Sequence, residues 1–277
     1  MSYKRILTIQ DISCVGQCSL TVALPILSAC GVETGILPSA VLSTHTGGFT
    51  GYTFRDLTED IPAIAAHWKK EGIRFDAFYT GYLGSARQIA YVKEIFGTLG
   101  KPGAIAIVDP AMADFGRLYT GFDEGFVAEM TSLCAAADVI LPNLTEACLM
   151  TGTPYREEVD EVFIDALLQK LAALGAKTVI LTGIGFRPDE TGVMVYSGGK
   201  KQHYVHQRIA RGCHGTGDVF ASAFTGAVLR GRDYYDAARI AADFTLRCIE
   251  NTLADEGHWY GVDFESVLPE LLRLLES

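Results

Sequence analysis

The run GTGDVFASAF, Gly215 to Phe224, places two glycines and a threonine immediately ahead of an acid and an apolar helical stretch. The first four backbone N–H groups of a helix lack partners within it, and glycine lets the chain curl so that they converge. Gly215, Thr216 and Gly217 therefore read as an anion hole. Asp218 is out of place there, because its charge repels the phosphate that the amides attract. A general base that takes a hydroxyl proton while the amides stabilise a migrating phosphoryl group accounts for the pairing. The helix end is expected to keep this acid ionised and weakly basic, which a loose transition state tolerates. Taken alone, the same residues also fit a plain glycine-rich loop with Asp218 as a dipole-favoured first-turn acid. No G-x-x-x-x-G-K-[ST] is present and no G-x-G-x-x-G follows the first apolar run, so neither a P-loop nor a dinucleotide fold is supported.

Such a loop needs a scaffold, and the rest of the chain supplies an alternating one. Apolar runs RILTIQ, TGILPSAVLS, FDAFYTG, AIAIVDP and DVILPN alternate with helical spans near Cys18–Cys30, Thr58–Glu71, Ser85–Leu99, Asp123–Ala136 and from Leu144. A further amphipathic helix is expected over Glu157–Leu174, feeding KTVILTG. Strand alternating with helix implies parallel strands joined by crossovers, hence an α/β layer structure. GVMVYS and KQHYVH flank Gly198-Gly199 and read as a hairpin, and three helices follow over Thr216–Leu229, Asp233–Asn251 and Phe264–Leu275. The strands end in QDIS, STHTGG, TGYLGS, VDPAM, LPNLTE and LTGIG, and in open α/β sheets the carboxyl ends of strands face the ligand crevice.

Composition narrows the function classes. With 277 residues, 49% hydrophobic and 20% charged, the chain is expected to form one domain over 1–277 with a single large architecture. A net charge of −10 argues against a nucleic-acid partner and an anionic membrane surface, though not against locally bound phosphates. Seven cysteines, an odd number without a C-x-x-C pair, indicate neither a disulfide framework nor a zinc site and fit a reducing cytoplasm. The uncharged stretch Ile12–Val32 holds Gly16, Gln17 and Pro25 and follows Asp11, so it is read as neither a signal peptide nor a membrane span.

GTGDVFASAF resembles the catalytic signature of the ribokinase-like superfamily, and IQDISCVGQCSL, SAVLSTHTGG, TGYLGSARQ, VDPAM, LPNLTEACLMTG and VILTG resemble, in that order, segments of pyridoxal kinases. The resemblance spans most of Ile6 to Phe224. It implies a three-layer α/β/α fold with a central, mostly parallel sheet, transfer of the ATP γ-phosphate to the 5′-hydroxyl of pyridoxal, pyridoxamine or pyridoxine, and a homodimer. It further implies magnesium with the ATP and admits a monovalent cation such as K⁺. Asp218 matches the family's general base, and Gly215, Thr216 and Gly217 its anion hole.

Other roles follow from the same resemblance. Asn143 and Glu146 match positions near magnesium and the ATP phosphates, with water between protein and metal; Asn-x-x-Glu opening a helix is also a capping box, and both readings are compatible. Asp109 matches a phosphate-side residue that organises the cation, and Tyr119 a tyrosine near the γ-phosphate. Thr182 and Gly183 correspond to nucleotide-contacting positions. For the vitamer ring the resemblance offers His45, Thr46 and Tyr82, with Gly47–Gly51 as a flap that excludes water. Asp11 departs from the family, where a serine usually contacts the ring; a carboxylate there suits a cationic aminomethyl group and predicts a preference for pyridoxamine.

The Cys213-His214 pair invites a nucleophile reading, but no third orienting group is evident and phosphoryl transfer needs no covalent intermediate. The other cysteines lie in apolar runs and are expected in the core. Hydroxymethylpyrimidine kinases share the fold and the D-x-S pattern at Asp11, though they typically carry a cysteine where this chain has Asp218. A binding protein that has kept the fold without activity is the alternative from another class.

Overall fold

Strand β1 (Arg5–Ser13) buries Ile6 on one face of the sheet and Leu7 and Ile9 on the other, the period-two pattern of a strand covered on both sides. A computed structural model describes residues 3–209, 212–255 and 257–276. The remaining strands are β2 (Glu33–Leu42), β3 (Phe54–Asp56), β4 (Phe75–Thr80), β5 (Gly100–Val108), the short β6 (Ala113–Asp114) and β7 (Arg117–Leu118), β8 (Val139–Ile140), β9 (Thr178–Thr182), β10 (Glu190–Ser197) and β11 (Lys200–Gln207). Nine of them form one sheet in the order β11-β10-β9-β8-β5-β4-β1-β2-β3, and β6 and β7 pair separately. The six inner strands, from β9 to β2, run parallel, while β3, β10 and β11 are antiparallel edges.

Helices α1 (Leu20–Ala29), α7 (Thr216–Leu229), α8 (Tyr234–Leu253) and α9 (Leu268–Glu276) cover the face that carries Ile6, Ala77 and Tyr79. Helices α2 (Ile61–Lys70), α3 (Ala86–Leu99), α4 (Glu124–Ala135), α5 (Leu144–Met150) and α6 (Glu161–Ala173) cover the face that carries Leu7, Ile9 and Phe78. The fold is thus the expected three-layer, ribokinase-like α/β arrangement. No described helix is long and apolar enough to cross a membrane.

Several expectations need correction. α6 begins at Glu161 rather than Glu157, because the Asp160 side chain accepts the Phe163 N–H and caps the helix there. The DVILPN run contributes only Val139–Ile140 to the ladder before Pro142 ends it. The Phe264–Leu275 helix starts as a 3₁₀ turn over Glu265–Val267. Strand β3, with all three residues exposed, has no apolar alternation to announce it. Cys30, Cys134, Cys148 and Cys248 are buried as expected, but Cys14 is exposed and Cys18 half-buried, since both lie in the loop leaving β1; no disulfide joins the described cysteines.

Candidate active site

Sheet order determines where a crevice must open. From β1 the chain passes to β2 on one side and returns through β4 on the other, so the helices that follow leave in opposite directions and a gap forms beyond the carboxyl ends of β1 and β4. Asp11 and Ser13 come from the end of β1, Gly81 and Tyr82 from the turn after β4, and Asp109 from the turn after β5. Helix α7 points its N-terminus into the same gap.

Gly215 caps α7 in the left-handed region, φ 84°, and its missing Cβ is required: one built there would lie 2.2 Å from the Gln17 carbonyl oxygen. The loop after β1 therefore packs directly on the Gly215–Gly217 turn. Two non-glycine residues of that loop, Gln17 (φ 53°) and Ser19 (φ 56°), hold positive φ, a strain of about 1–2 kcal/mol each. The Ser19 turn aims its backbone N–H at the Asp218 carboxylate, which accepts it. Burial nonetheless dominates and, with repulsion from Asp11 adding to it, pushes the Asp218 carboxyl up to about 7, against the Ser19 bond. This corrects the expectation of a weakly basic acid held ionised by the helix end. A carboxylate poised near neutrality is a stronger proton acceptor.

Beyond β5 and at the start of α5, Asp109 and Glu146 are buried close together, and Asp218 adds its field. Burial first, then repulsion from Glu146 and Asp218, holds the Asp109 carboxyl well above the usual carboxylate range. Glu146 is also pushed up by burial, although Asn143, Met112 and Ala113 N–H groups oppose the shift. The capping box is formed in full: the Asn143 side chain accepts from Glu146 N–H at 2.9 Å, and Glu146 Oε2 accepts from Asn143 N–H at 2.9 Å. Asn143 Nδ2 donates to Ala113 O at 2.8 Å, so both ends of this amide are engaged in structure. Thr182 pairs beside Asn143 across the end of β9, and Gly183 follows in the left-handed region, φ 74°. Tyr119 is 41% exposed, yet its hydroxyl is held high by burial and by Glu146, Asp114, Asp109 and Asp218, which places it beside the acids.

No described group of three or more His, Cys, Asp or Glu side chains is arranged to bind a metal directly. Both Glu146 oxygens already accept backbone N–H groups, from Met112 at 3.1 Å and from Asn143. Magnesium, which keeps several waters, fits this donor set: Asp109 would face it, with Glu146 behind through water.

At the end of β1, Asp11 is 4% exposed; Ser13 Oγ donates to its Oδ2 at 2.8 Å and the Ser19 hydroxyl bonds it as well. Burial raises its carboxyl despite these bonds and despite His45 nearby. Tyr82 is brought near Asp11 and Tyr52, and its ring stacks on Phe122 with centroids 5.5 Å apart. Thr46 is exposed immediately ahead of Gly47–Gly51. His45 differs from expectation: its Nδ1 accepts the Gly47 N–H at 3.0 Å, which leaves the proton on Nε2 to donate to Tyr260 O. Both ring nitrogens being engaged, no directed hydrogen bond remains for a vitamer ring.

Sequence reasoning does not single out Ser19 or Tyr260: positive φ at a non-glycine residue such as Ser19 leaves no compositional trace, and Tyr260 meets His45 only through tertiary folding.

The Phosphomethylpyrimidine kinase family model matches residues 38–262. A hydroxymethylpyrimidine/phosphomethylpyrimidine kinase of Bacillus subtilis is 30% identical over 227 residues, 79% of this chain and 80% of that protein. A protein of Bacteroides thetaiotaomicron, provisionally named phosphomethylpyrimidine kinase and crystallised with pyridoxal, superposes with a TM-score of 0.92 at 38% identity, covering 98% of this chain and 96% of its own. The crystal structure of pyridoxal kinase from Lactobacillus plantarum superposes with a TM-score of 0.91 at 33% identity, covering 99% of each chain.

Proposed function

Because the chain belongs to the phosphomethylpyrimidine kinase family, within the ribokinase-like superfamily that includes its pyridoxal kinase relatives, we propose that it transfers the γ-phosphate of ATP to the 5′-hydroxyl of pyridoxal, pyridoxamine or pyridoxine, acting as one kinase domain over 1–277. The observation that carries this reading is Asp218 standing at the mouth of the Gly215–Gly217 anion hole with its carboxyl near neutrality, beside Asp11 at the switch point. Asp218 takes the proton of the acceptor hydroxyl as the new O–P bond forms, and the amides of Gly215, Thr216 and Gly217 receive the charge on the phosphoryl oxygens. Asp109, Tyr119, Asn143, Glu146, Thr182 and Gly183 line the nucleotide side. Magnesium bound at Asp109, with Glu146 behind, would neutralise phosphate charge there.

Asp11 and Tyr82 orient the ring, with Thr46 at the rim. Asp11 and Asp218 repel each other, so a protonated aminomethyl group near Asp11 relieves both and favours pyridoxamine. The second reading, hydroxymethylpyrimidine phosphorylation, is favoured by the family model and by the Bacillus subtilis relative. An ATP-consumption assay with pyridoxal, pyridoxamine, pyridoxine and hydroxymethylpyrimidine separates them. The expected result is turnover with the vitamers, pyridoxamine best. In Asp11→Ser the ratio of kcat/KM for pyridoxamine over pyridoxal should fall by about 10-fold, the worth of a single charge-assisted bond. An unchanged ratio removes Asp11 from specificity, and turnover with hydroxymethylpyrimidine alone removes the vitamer reading.

A further inference from the structure

Two loops build the acceptor side: the turn from Cys14 to Ser19, which carries the Asp218 contact, and the loop from Ser43 to Gly51, which contains the Gly47–Gly51 flap. Neither is held chiefly by its own strand. Gln17 is fastened by side chains from near the other end of the chain: His258 Nε2 donates to its Oε1 at 2.7 Å, and its Nε2 donates to Glu265 Oε1 and Oε2 at 3.1 and 3.0 Å. These bonds lock a residue whose φ of 53° is strained and whose carbonyl presses on Gly215. The flap is held by the same segment. His45 Nε2 donates to Tyr260 O, and the Phe49 ring lies 5.0 Å from His45, 4.8 Å from Trp259 and 6.3 Å from Tyr260, centroid to centroid. Gly48 has no room for a Cβ, which would meet Trp259 at 2.9 Å.

We infer that His258–Glu265, between α8 and α9, is a clasp that holds both loops in register over the acceptor pocket, with Gln17, Trp259 and Tyr260 as positioning residues for whichever alcohol is phosphorylated. The inference rests on the kinase reading for its kinetic consequence, and on geometry alone for its structural one. Because the clasp holds the Cys14–Ser19 turn and the Ser43–Gly51 loop, and reaches the start of α7 only through the Gln17 carbonyl against Gly215, its loosening acts first on acceptor binding. The nucleotide side, built from β5, α5 and β9, is left alone.

The test uses Gln17→Asn, which tolerates positive φ but is too short for both partners, and Trp259→Ala at a site 48% exposed, with Trp259→Phe as the conservative control. The acceptor KM should rise by about 10-fold in the first two while the ATP KM stays within about twofold, and Trp259→Phe should recover most of the loss. An acceptor KM within about twofold of the parent, or one that moves in step with the ATP KM, overturns the clasp. Amide hydrogen exchange reads the same proposal without turnover: protection over 14–19 and 43–51 should fall in Gln17→Asn and Trp259→Ala and not over α4. Unchanged protection also overturns it, whereas a parent enzyme that phosphorylates no acceptor counts against the kinase reading alone.

Discussion

Asparagine at position 218 should lower kcat by about 10²- to 10⁴-fold, the range that a positioned general base contributes. The substitution keeps the shape of the side chain and leaves an amide oxygen to accept the Ser19 N–H, so the strained loop retains its anchor. It also removes one of two mutually repelling acids, and the fold should be no less stable than the parent. What is lost is the capacity to take the acceptor proton. The ATP KM should change little, since the anion hole amides are untouched. Steady-state kinetics beside a thermal melt check this: full activity in Asp218→Asn would show that the carboxylate is a helix-end acid and nothing more.

The second large effect is expected at Gly215→Ala. The new Cβ would sit 2.2 Å from the Gln17 carbonyl oxygen, and φ 84° is strained for any L side chain. Relief requires the Gln17–Ser19 turn to back away, which withdraws the Ser19 N–H from Asp218 and splays the amides of the hole. We expect kcat/KM to fall by at least about 100-fold, comparable to losing one donor from an oxyanion-type site, together with a lower Tm. Gly217→Ala is the control for fold, because a Cβ there meets nothing within 4 Å and Tm should hold. If Gly215→Ala melted and turned over like the parent, the close packing of the β1 loop on the anion hole would be wrong.

These two predictions draw on parts of the molecule that differed in legibility. Helix α7 could be read to its ends, because GTG punctuates its start and an unbroken apolar run follows. The β10–β11 hairpin was equally plain from Gly198-Gly199 between two alternating runs. The strand ends named the crevice, since their polar residues follow apolar runs where the sheet must meet solvent. The clearest losses lie where geometry is non-local. Nothing in the residues around His45 announces that Tyr260, far along the chain, takes its Nε2 proton. The Asp218 carboxyl was expected to obey the nearest dipole, but burial by segments distant in sequence outweighs it. Strand β3 escaped for the opposite reason: an exposed edge needs no apolar pattern, only backbone partners on β2.

Asn143 and Glu146 show a third case, in which sequence supports two compatible readings and the structure forms one of them, the capping box. The capping box takes Asn143 Oδ1 and Glu146 Oε2, and Asn143 Nδ2 donates one of its two N–H groups to Ala113 O. Glu146 also acts through the carboxylate field that it shares with Asp109.

The pH dependence of kcat/KM, measured in parallel for the parent and Asp218→Asn, tests the role of Asp218 most directly. A base must be ionised to act, and burial has pushed this one up to about 7, so activity should be full above that pH and fall about tenfold per unit below it. In Asp218→Asn that limb should vanish, while any step due to ATP or the acceptor persists in both proteins. The same acid limb in both proteins would contradict the account.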